Sequence, residues 1–365
     1  MTDFINLALP GVQALQPYQP GKAVEELERE LGLVDAVKLA SNENPLGASE
    51  AVSDALLATF PQLARYPDGS AYILKNRLSE FLGVSAEMIT VGNGSNDVLE
   101  LLGRVFLNPH NEAVVSQHSF VVYPLVTKAV GARLKVIPAK NYRQDLKATL
   151  ESIENETRMV FIANPNNPTG TWVTECELID FLENIPRTLL VVLDEAYFEY
   201  VDKPDYPDGI SLVKKFPNLI VTRTFSKAYG LAALRIGYAV SHPDIADLLN
   251  RIRQPFNVNS MSLVAALAAL DDQKHVEKSV SLNQSGLDYF MKGCEEMELS
   301  YIPSVANFLT IDLERKAMPI YEGLLRLGII VRPVGVYELP NHLRVTTGLP
   351  RENELFLSAL KRLVR

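Results

Sequence analysis

At 365 residues with 47% hydrophobic side chains, the chain is long enough for two cores and has a globular rather than a disordered composition. Its 35 basic against 44 acidic residues leave a net charge of −9, which argues against nucleic acid as the partner; an anionic ligand must be met by locally placed arginines. No apolar run approaches the ~18 residues of a membrane span, Met1-Thr2-Asp3-Phe4 does not open a signal peptide, and the distant Cys176 and Cys294, expected as free buried or half-buried thiols, suit a reducing cytoplasm.

Leu74, Leu78, Phe81 and Leu82 fall at i, i+4, i+7 and i+8, which predicts a helix stopped by Gly83. From about 86 to 240 short apolar runs alternate with helical stretches. Strands are expected over 88–91, 112–116, 134–138, 159–163, 189–193, 219–222 and 236–240. Val160-Phe161-Ile162 and Val191-Val192-Leu193 show no polar alternation, so their strands belong in a mostly parallel sheet with helices on both faces. From Pro243 to about Leu299 the pattern is almost wholly helical. The tail has strands over 308–313 and 343–346 and a last helix over 352–364. The division expected is an arm over 1–45 joining the smaller unit, a large α/β domain over 46–250 and a small α+β domain over 251–365.

Lys227 follows the apolar run Leu219-Ile220-Val221, where a strand hands over to a loop. Ligands of open α/β sheets gather at the carboxyl ends of strands, and an amine there can form an imine with an aldehyde cofactor and then move a proton between two carbons. Most lysines are merely solvated. Thr224, Ser226 and Arg235 around this one supply the hydroxyls and guanidinium of a phosphate cradle. Asp194 ends a second apolar run, where a buried carboxylate calls for a cation such as a protonated pyridine nitrogen. Metal binding is disfavoured, because Glu195 points to the other side of the strand and no histidine is near. Tyr197 is either a donor to a phenolic oxygen or a core aromatic.

Asn164 to Gly170 follows another strand, and its prolines stop it. Asn167 is the amide expected to meet a ring substituent, with a plain tight turn as the alternative. In Gly92-Asn93-Gly94-Ser95-Asn96, glycines precede a helix opening near Asp97, a place for one phosphate. The third glycine of a dinucleotide fingerprint is absent, which disfavours a nicotinamide enzyme. Phe120 can stack on a flat ring or fill a core. Tyr66 lies in a turn. Arg332 and Arg344 lie on or beside predicted strands, for an anion or for internal ion pairs.

These motifs, with Pro17-Tyr18-Gln19-Pro20-Gly21-Lys22, Ser41-Asn42-Glu43-Asn44-Pro45, Arg65-Tyr66-Pro67-Asp68-Gly69, Asp194-Glu195-Ala196-Tyr197 and Ser226-Lys227-Ala228-Tyr229-Gly230, resemble the class I/II aminotransferases of fold type I, and most narrowly the histidinol-phosphate aminotransferases. The resemblance implies a fold-type-I pyridoxal-phosphate transferase with a mostly parallel central sheet flanked by helices and a smaller α+β domain. It implies Lys227 as the catalytic lysine on pyridoxal 5'-phosphate, Asp194 at the pyridine nitrogen, and Asn167 and Tyr197 at the phenolic oxygen. Phe120 stands where a stacking tyrosine is common. Gly94, Ser95, Asn96, Thr224, Ser226 and Arg235 would hold the phosphate, with Tyr66 reaching it from the neighbouring subunit of a homodimer. Asn96 replaces a frequent acid. Tyr18, Arg332 and Arg344 would grip histidinol phosphate and, in the other half-reaction, glutamate or 2-oxoglutarate. An aromatic-amino-acid aminotransferase or a threonine-phosphate decarboxylase uses the same motifs.

Overall fold

The unbroken apolar runs form strands whose alternate side chains enter two different cores. Val160, Ile162, Val191, Leu193, Leu219 and Val221 fill one, and Met159, Phe161, Val192 and Ile220 the other. This two-sided burial is the reason the runs lack polar alternation. The computed structural model describes residues 4–17 and 21–364. Its strands are β1 (Val37–Lys38), β2 (Ile89–Gly92), β3 (Glu112–Ser116), β4 (Arg133–Ile137), β5 (Thr157–Ala163), β6 (Leu190–Asp194), β7 (Leu219–Thr224), β8 (Gly237–Val240), β9 (Tyr301–Ile302), β10 (Phe308–Asp312), β11 (Ile329–Ile330), β12 (Arg332–Pro333) and β13 (His342–Thr346).

Seven strands form the central sheet in the order β2-β8-β7-β6-β5-β3-β4. β8 alone runs against its neighbours, antiparallel to β2 and β7. The helices Ser95–Phe106, Val122–Ala129 and Pro243–Ile252 cover one face. Tyr72–Leu82, Glu175–Asn184, Gly209–Val213 and Ser260–Asp271 cover the other. Tyr72–Leu82 ends at Gly83, whose φ of +65° is the left-handed stop that glycine supplies without strain.

The second sheet, β12-β13-β10-β9, is antiparallel. It packs with Gln273–Glu296, Ala317–Arg326 and Pro350–Val364 around Phe290, Leu309, Ile311, Leu343 and Phe356. The arm joins here: β1 pairs with β11, and the Leu39 carbonyl accepts from Thr346 N at 2.8 Å. Ser260–Asp271, placed by the sequence reading beyond residue 250 with the small domain, buries Leu263, Ala266 and Leu270 in the core of the central sheet. Neither cysteine is paired; Cys294 is buried, whereas Cys176 is exposed, against the expectation of buried or half-buried thiols.

Candidate active site

Because β5, β6 and β7 are parallel, their carboxyl ends open on one edge of the sheet, and their last residues are Ala163, Asp194 and Thr224. A cavity at that edge is lined by Ser95, Asn96, Phe120, Tyr123, Ala163, Pro165, Asn167, Asp194, Ala196, Tyr197, Thr224, Ser226, Lys227 and Arg235. Ten of the residues singled out in the sequence meet there. Segments more than a hundred residues apart converge because parallel strands return through helices to the same edge.

One end of the cavity gathers donors that suit an anion. The helix Ser95–Phe106 starts at Gly94, which gives no side-chain cap, so the first amide hydrogens are left for a ligand. Gly94 has φ +84°, and a Cβ there would lie 2.5 Å from Arg235 Nη2. Arg235 is itself left-handed, φ +55°, a strained setting for a long side chain. Its Nη1 donates to Ser226 Oγ at 3.2 Å and to the Ala232 carbonyl at 3.0 Å. Thr224 Oγ1 accepts from Ser226 N at 3.1 Å. Asp97 is turned away from this cup, since its Oδ2 accepts from Asn93 N and Asn257 Nδ2, both at 2.8 Å.

On the cavity floor Asp194 is 5% exposed. Tyr123 OH donates to its Oδ2 at 2.8 Å and Thr222 Oγ1 to its Oδ1 at 3.0 Å. Burial raises the carboxyl pKa, against the pull of these hydrogen bonds. Neutral donors surround it, and the charge of Lys227 pulls its pKa down less than their hydrogen bonds do. Tyr123, absent from the sequence reading, stacks on Phe161 with centroids 4.8 Å apart. Its one signal was its place three residues after Phe120, whose ring it meets edge-on at 5.7 Å.

Lys227 Nζ donates to the Ser41 carbonyl at 3.3 Å and stands 5.5 Å from the Tyr197 ring centre. Burial first, then the charge of Arg344, brings its pKa down to about 7. A nucleophilic free amine is therefore available near neutrality. Of the three asparagines in the Asn-Pro segment only Asn167 lines the cavity. Asn164 is used by Val173, bonding its N and O at 2.9 and 3.2 Å, and Asn166 Nδ2 by Thr169 Oγ1 at 2.8 Å. Asn167 Nδ2 donates to Tyr197 OH at 3.2 Å. A second amide, Asn42 Nδ2, reaches the same hydroxyl at 2.8 Å.

Arg344 approaches from the second sheet, with Nη1 on Asn167 Oδ1 at 2.5 Å and Nη2 on the Ala40 carbonyl at 2.7 Å. Arg332 is its direct partner across the β12–β13 pair. Neither arginine lines the cavity itself. Tyr66 is 82% exposed and stacks on Phe256 at 4.7 Å, away from the cavity of its own chain. Tyr18 lies outside the described residues.

The profile of the family described as "Aminotransferase class I and II" matches residues 34–360. The chain belongs to the class I and II aminotransferases. Among similar class I and II aminotransferases is "Histidinol-phosphate aminotransferase 2" of Pseudomonas fluorescens, 55% identical over 364 residues that cover 99% of this chain and 98% of that one. A solved histidinol-phosphate aminotransferase from Sinorhizobium meliloti, in complex with pyridoxal-5'-phosphate, superposes with a TM-score of 0.90 at 31% identity, covering 98% of this chain and 97% of that one. L-threonine-O-3-phosphate decarboxylase from Porphyromonas gingivalis, at 21% identity and TM-score 0.80 over 89% of this chain and 98% of that one, shares the fold. The architecture is accordingly fold type I, and membership of the class I and II aminotransferases makes the chain a transaminase whose family cofactor is pyridoxal phosphate.

Proposed function

We propose that the chain transfers an amino group from histidinol phosphate to 2-oxoglutarate, giving imidazole-acetol phosphate and glutamate, with pyridoxal phosphate as cofactor. The observation that carries the substrate reading is the cross-strand pair Arg332 and Arg344, beside a cavity whose lysine has its pKa brought down to about 7 by burial, so that free amine is present at neutrality. Like charges directly opposite on a sheet repel, and an anion received between them offsets that repulsion. Arginine's planar fork pairs with phosphate or carboxylate alike, as a donor with a phosphate and an acceptor with a carboxylate require. The 55% identity to a protein named for this reaction supports the same reading.

The residues present fit the cofactor. Gly94, the amides of Ser95 and Asn96, and Thr224, Ser226 and Arg235 would hold its phosphate. Asp194, buried with neutral donors and a raised pKa, fits a cationic ring nitrogen. Phe120 would cover a ring face, with Asn167 and Tyr197 at the phenolic oxygen. Bound pyridoxal phosphate supplies an aldehyde for the amino group and a ring that delocalises the electron pair left when a C–H proton is removed. Lys227 would hold the cofactor covalently, and its amine, once freed, is placed to carry a proton between the substrate carbon and a neighbouring position. Tyr18 and the two arginines hold the substrate's anionic end.

A homodimer belongs to this proposal. Phe60, Leu63, Tyr66, Tyr72 and Ile73 are exposed within one stretch of chain, an apolar set that a second copy would cover, bringing Tyr66 to the partner's phosphate cup. The unpaired, exposed Cys176 fits a reducing cytoplasm.

The purified protein loaded with pyridoxal phosphate should lose its visible absorbance on adding histidinol phosphate and regain it with 2-oxoglutarate. Unphosphorylated histidinol should be a poor donor. Preference for phenylalanine or tyrosine, or release of carbon dioxide from threonine phosphate, would instead assign an aromatic aminotransferase or a decarboxylase on the same fold.

A further inference from the structure

Asn42 is 1% exposed and left-handed, φ +55°, so the fold holds it in a conformation most residues avoid. Its backbone N donates to Thr346 Oγ1 at 2.9 Å, and Thr346 Oγ1 lies 3.1 Å from Asn42 Oδ1. The threonine oxygen accepts the first bond, and its own proton serves the second. The oxygen end of the Asn42 amide is thereby fixed on Thr346, which turns the NH2 end to Tyr197 OH. Asn167 is fixed in the same way: Arg344 can only donate, so Asn167 Oδ1 faces it and Asn167 Nδ2 faces Tyr197.

A phenol has one proton and two lone-pair directions. Both lone pairs of Tyr197 are taken by amide NH2 groups, and among the described residues none accepts its proton. We propose that Asn42 is a positioning residue that occupies the Tyr197 hydroxyl as a donor, leaving the tyrosine's single proton for the phenolic oxygen of the bound cofactor. The inference rests on the cofactor reading above. Burial pushes the Tyr197 phenol up to about 12, and the Asn42 bond opposes that rise, making the hydroxyl a better donor. Asn42 also accepts, through its carbonyl, from Asn307 Nδ2 at 3.0 Å, so the donor is set by Thr346 on β13 and Asn307 just before β10, while its target follows β6 of the first sheet.

The test reads the pH midpoint of the bound cofactor's visible absorbance in resting protein without substrate. A donor to the phenolic oxygen stabilises its anion and keeps that midpoint low. Asn42→Asp puts an acceptor beside Tyr197 that takes the proton away from the cofactor; the midpoint should rise by about one unit, a tenfold change in proton affinity, while KM for the amino donor moves less than about threefold as kcat falls. Asn42→Ala should give a smaller rise, and no further rise in a Tyr197→Phe background. Should Asn42→Asp not fold, Thr346→Val frees the amide to rotate and should also raise the midpoint. Midpoints within ~0.2 unit of the wild type in the Asn42 and Thr346 variants, or equal rises with and without Tyr197, overturn the proposal. A wild-type protein that binds pyridoxal phosphate with no pH-dependent absorbance overturns the cofactor reading as well.

Discussion

Asp194 and Glu195 are neighbours in sequence, yet they sit in opposite electrostatic settings on the two faces of one sheet. Asp194 faces the cavity, held by the Tyr123 and Thr222 hydroxyls. Glu195, wholly buried on the other face, meets Arg223 at 2.8 Å, and Gly209 N donates to its Oε1 at 2.8 Å. Arg223 also pairs with Asp208 at 2.7 Å and lies 3.4 Å from the centre of the Phe198 ring. The contrast separates a binding device from a fastening. Glu195 joins the ends of β6 and β7 behind the site through an ion pair, whereas Asp194 keeps a carboxylate answered mainly by neutral hydrogen-bond donors and so remains available to a cationic ligand.

The sharpest way to isolate the cavity side is Lys227→Ala. The amino-transfer half-reaction should fall at least about 10⁴-fold, because the covalent hold and the proton carrier go together. The folded protein should survive, since a desolvated amine is being deleted. Stopped-flow absorbance with glutamate and urea unfolding of the cofactor-free protein read the two effects separately.

On the fastening side, Arg223→Ala leaves Glu195 buried without its cation and should destabilise the cofactor-free protein by about 3–5 kcal/mol in urea unfolding. Arg223→Met with Glu195→Leu should recover most of that loss. If the double variant is as unstable as the single one, the ion pair is not the source of the effect.

Asp194→Asn should leave unfolding nearly untouched while lowering turnover by about 10²-fold, the loss of a charge that stabilises a cationic ring nitrogen. Near-normal turnover would remove Asp194 from the site and erase the contrast with Glu195.

The smallest effect is a pH slope. Lys227 has a folded pKa of about 7 against an ordinary 10.5, so between these values the unfolded chain binds more protons and stability rises with pH. Burial pushes Glu195 from 4.5 up to about 7 against the pull of Arg223, so over that range the folded chain binds more protons and stability falls as pH rises. Urea midpoints of the cofactor-free protein should therefore pass through a shallow minimum near pH 7. Lys227→Ala should flatten the alkaline limb alone.

Much of this was legible in the sequence because it is local. Two-sided apolar runs announce covered strands, and Lys227, Asp194 and Asn167 each follow such a run, where a parallel sheet presents its edge. The boundaries moved by a residue or two: β6 includes Asp194 and β7 reaches Thr224. Tyr123 and Asn42 went unread, because nothing in the short segments around them shows that one lies against Asp194 and the other against Tyr197. Ser260–Asp271 is apolar nearly all round, so its pattern does not show which core it enters; Leu263, Ala266 and Leu270 enter that of the central sheet.

By itself the sequence determined the strands longer than two residues, the glycine turn before the helix Ser95–Phe106 and the places of Lys227, Asp194 and Asn167 at or after strand ends, since periodicity and backbone preference act over a few residues; the two-residue strands β1, β9, β11 and β12 carry too short a pattern to read. Only the tertiary structure decided which hydroxyls serve Asp194, that Arg332 and Arg344 are cross-strand partners, and that Asn42 and Asn167 share one phenol. Those contacts join residues up to 155 positions apart, as Asn42 and Tyr197 are. Strand register and the packing of the two sheets set them, and both are properties of the whole chain's burial rather than of any short segment.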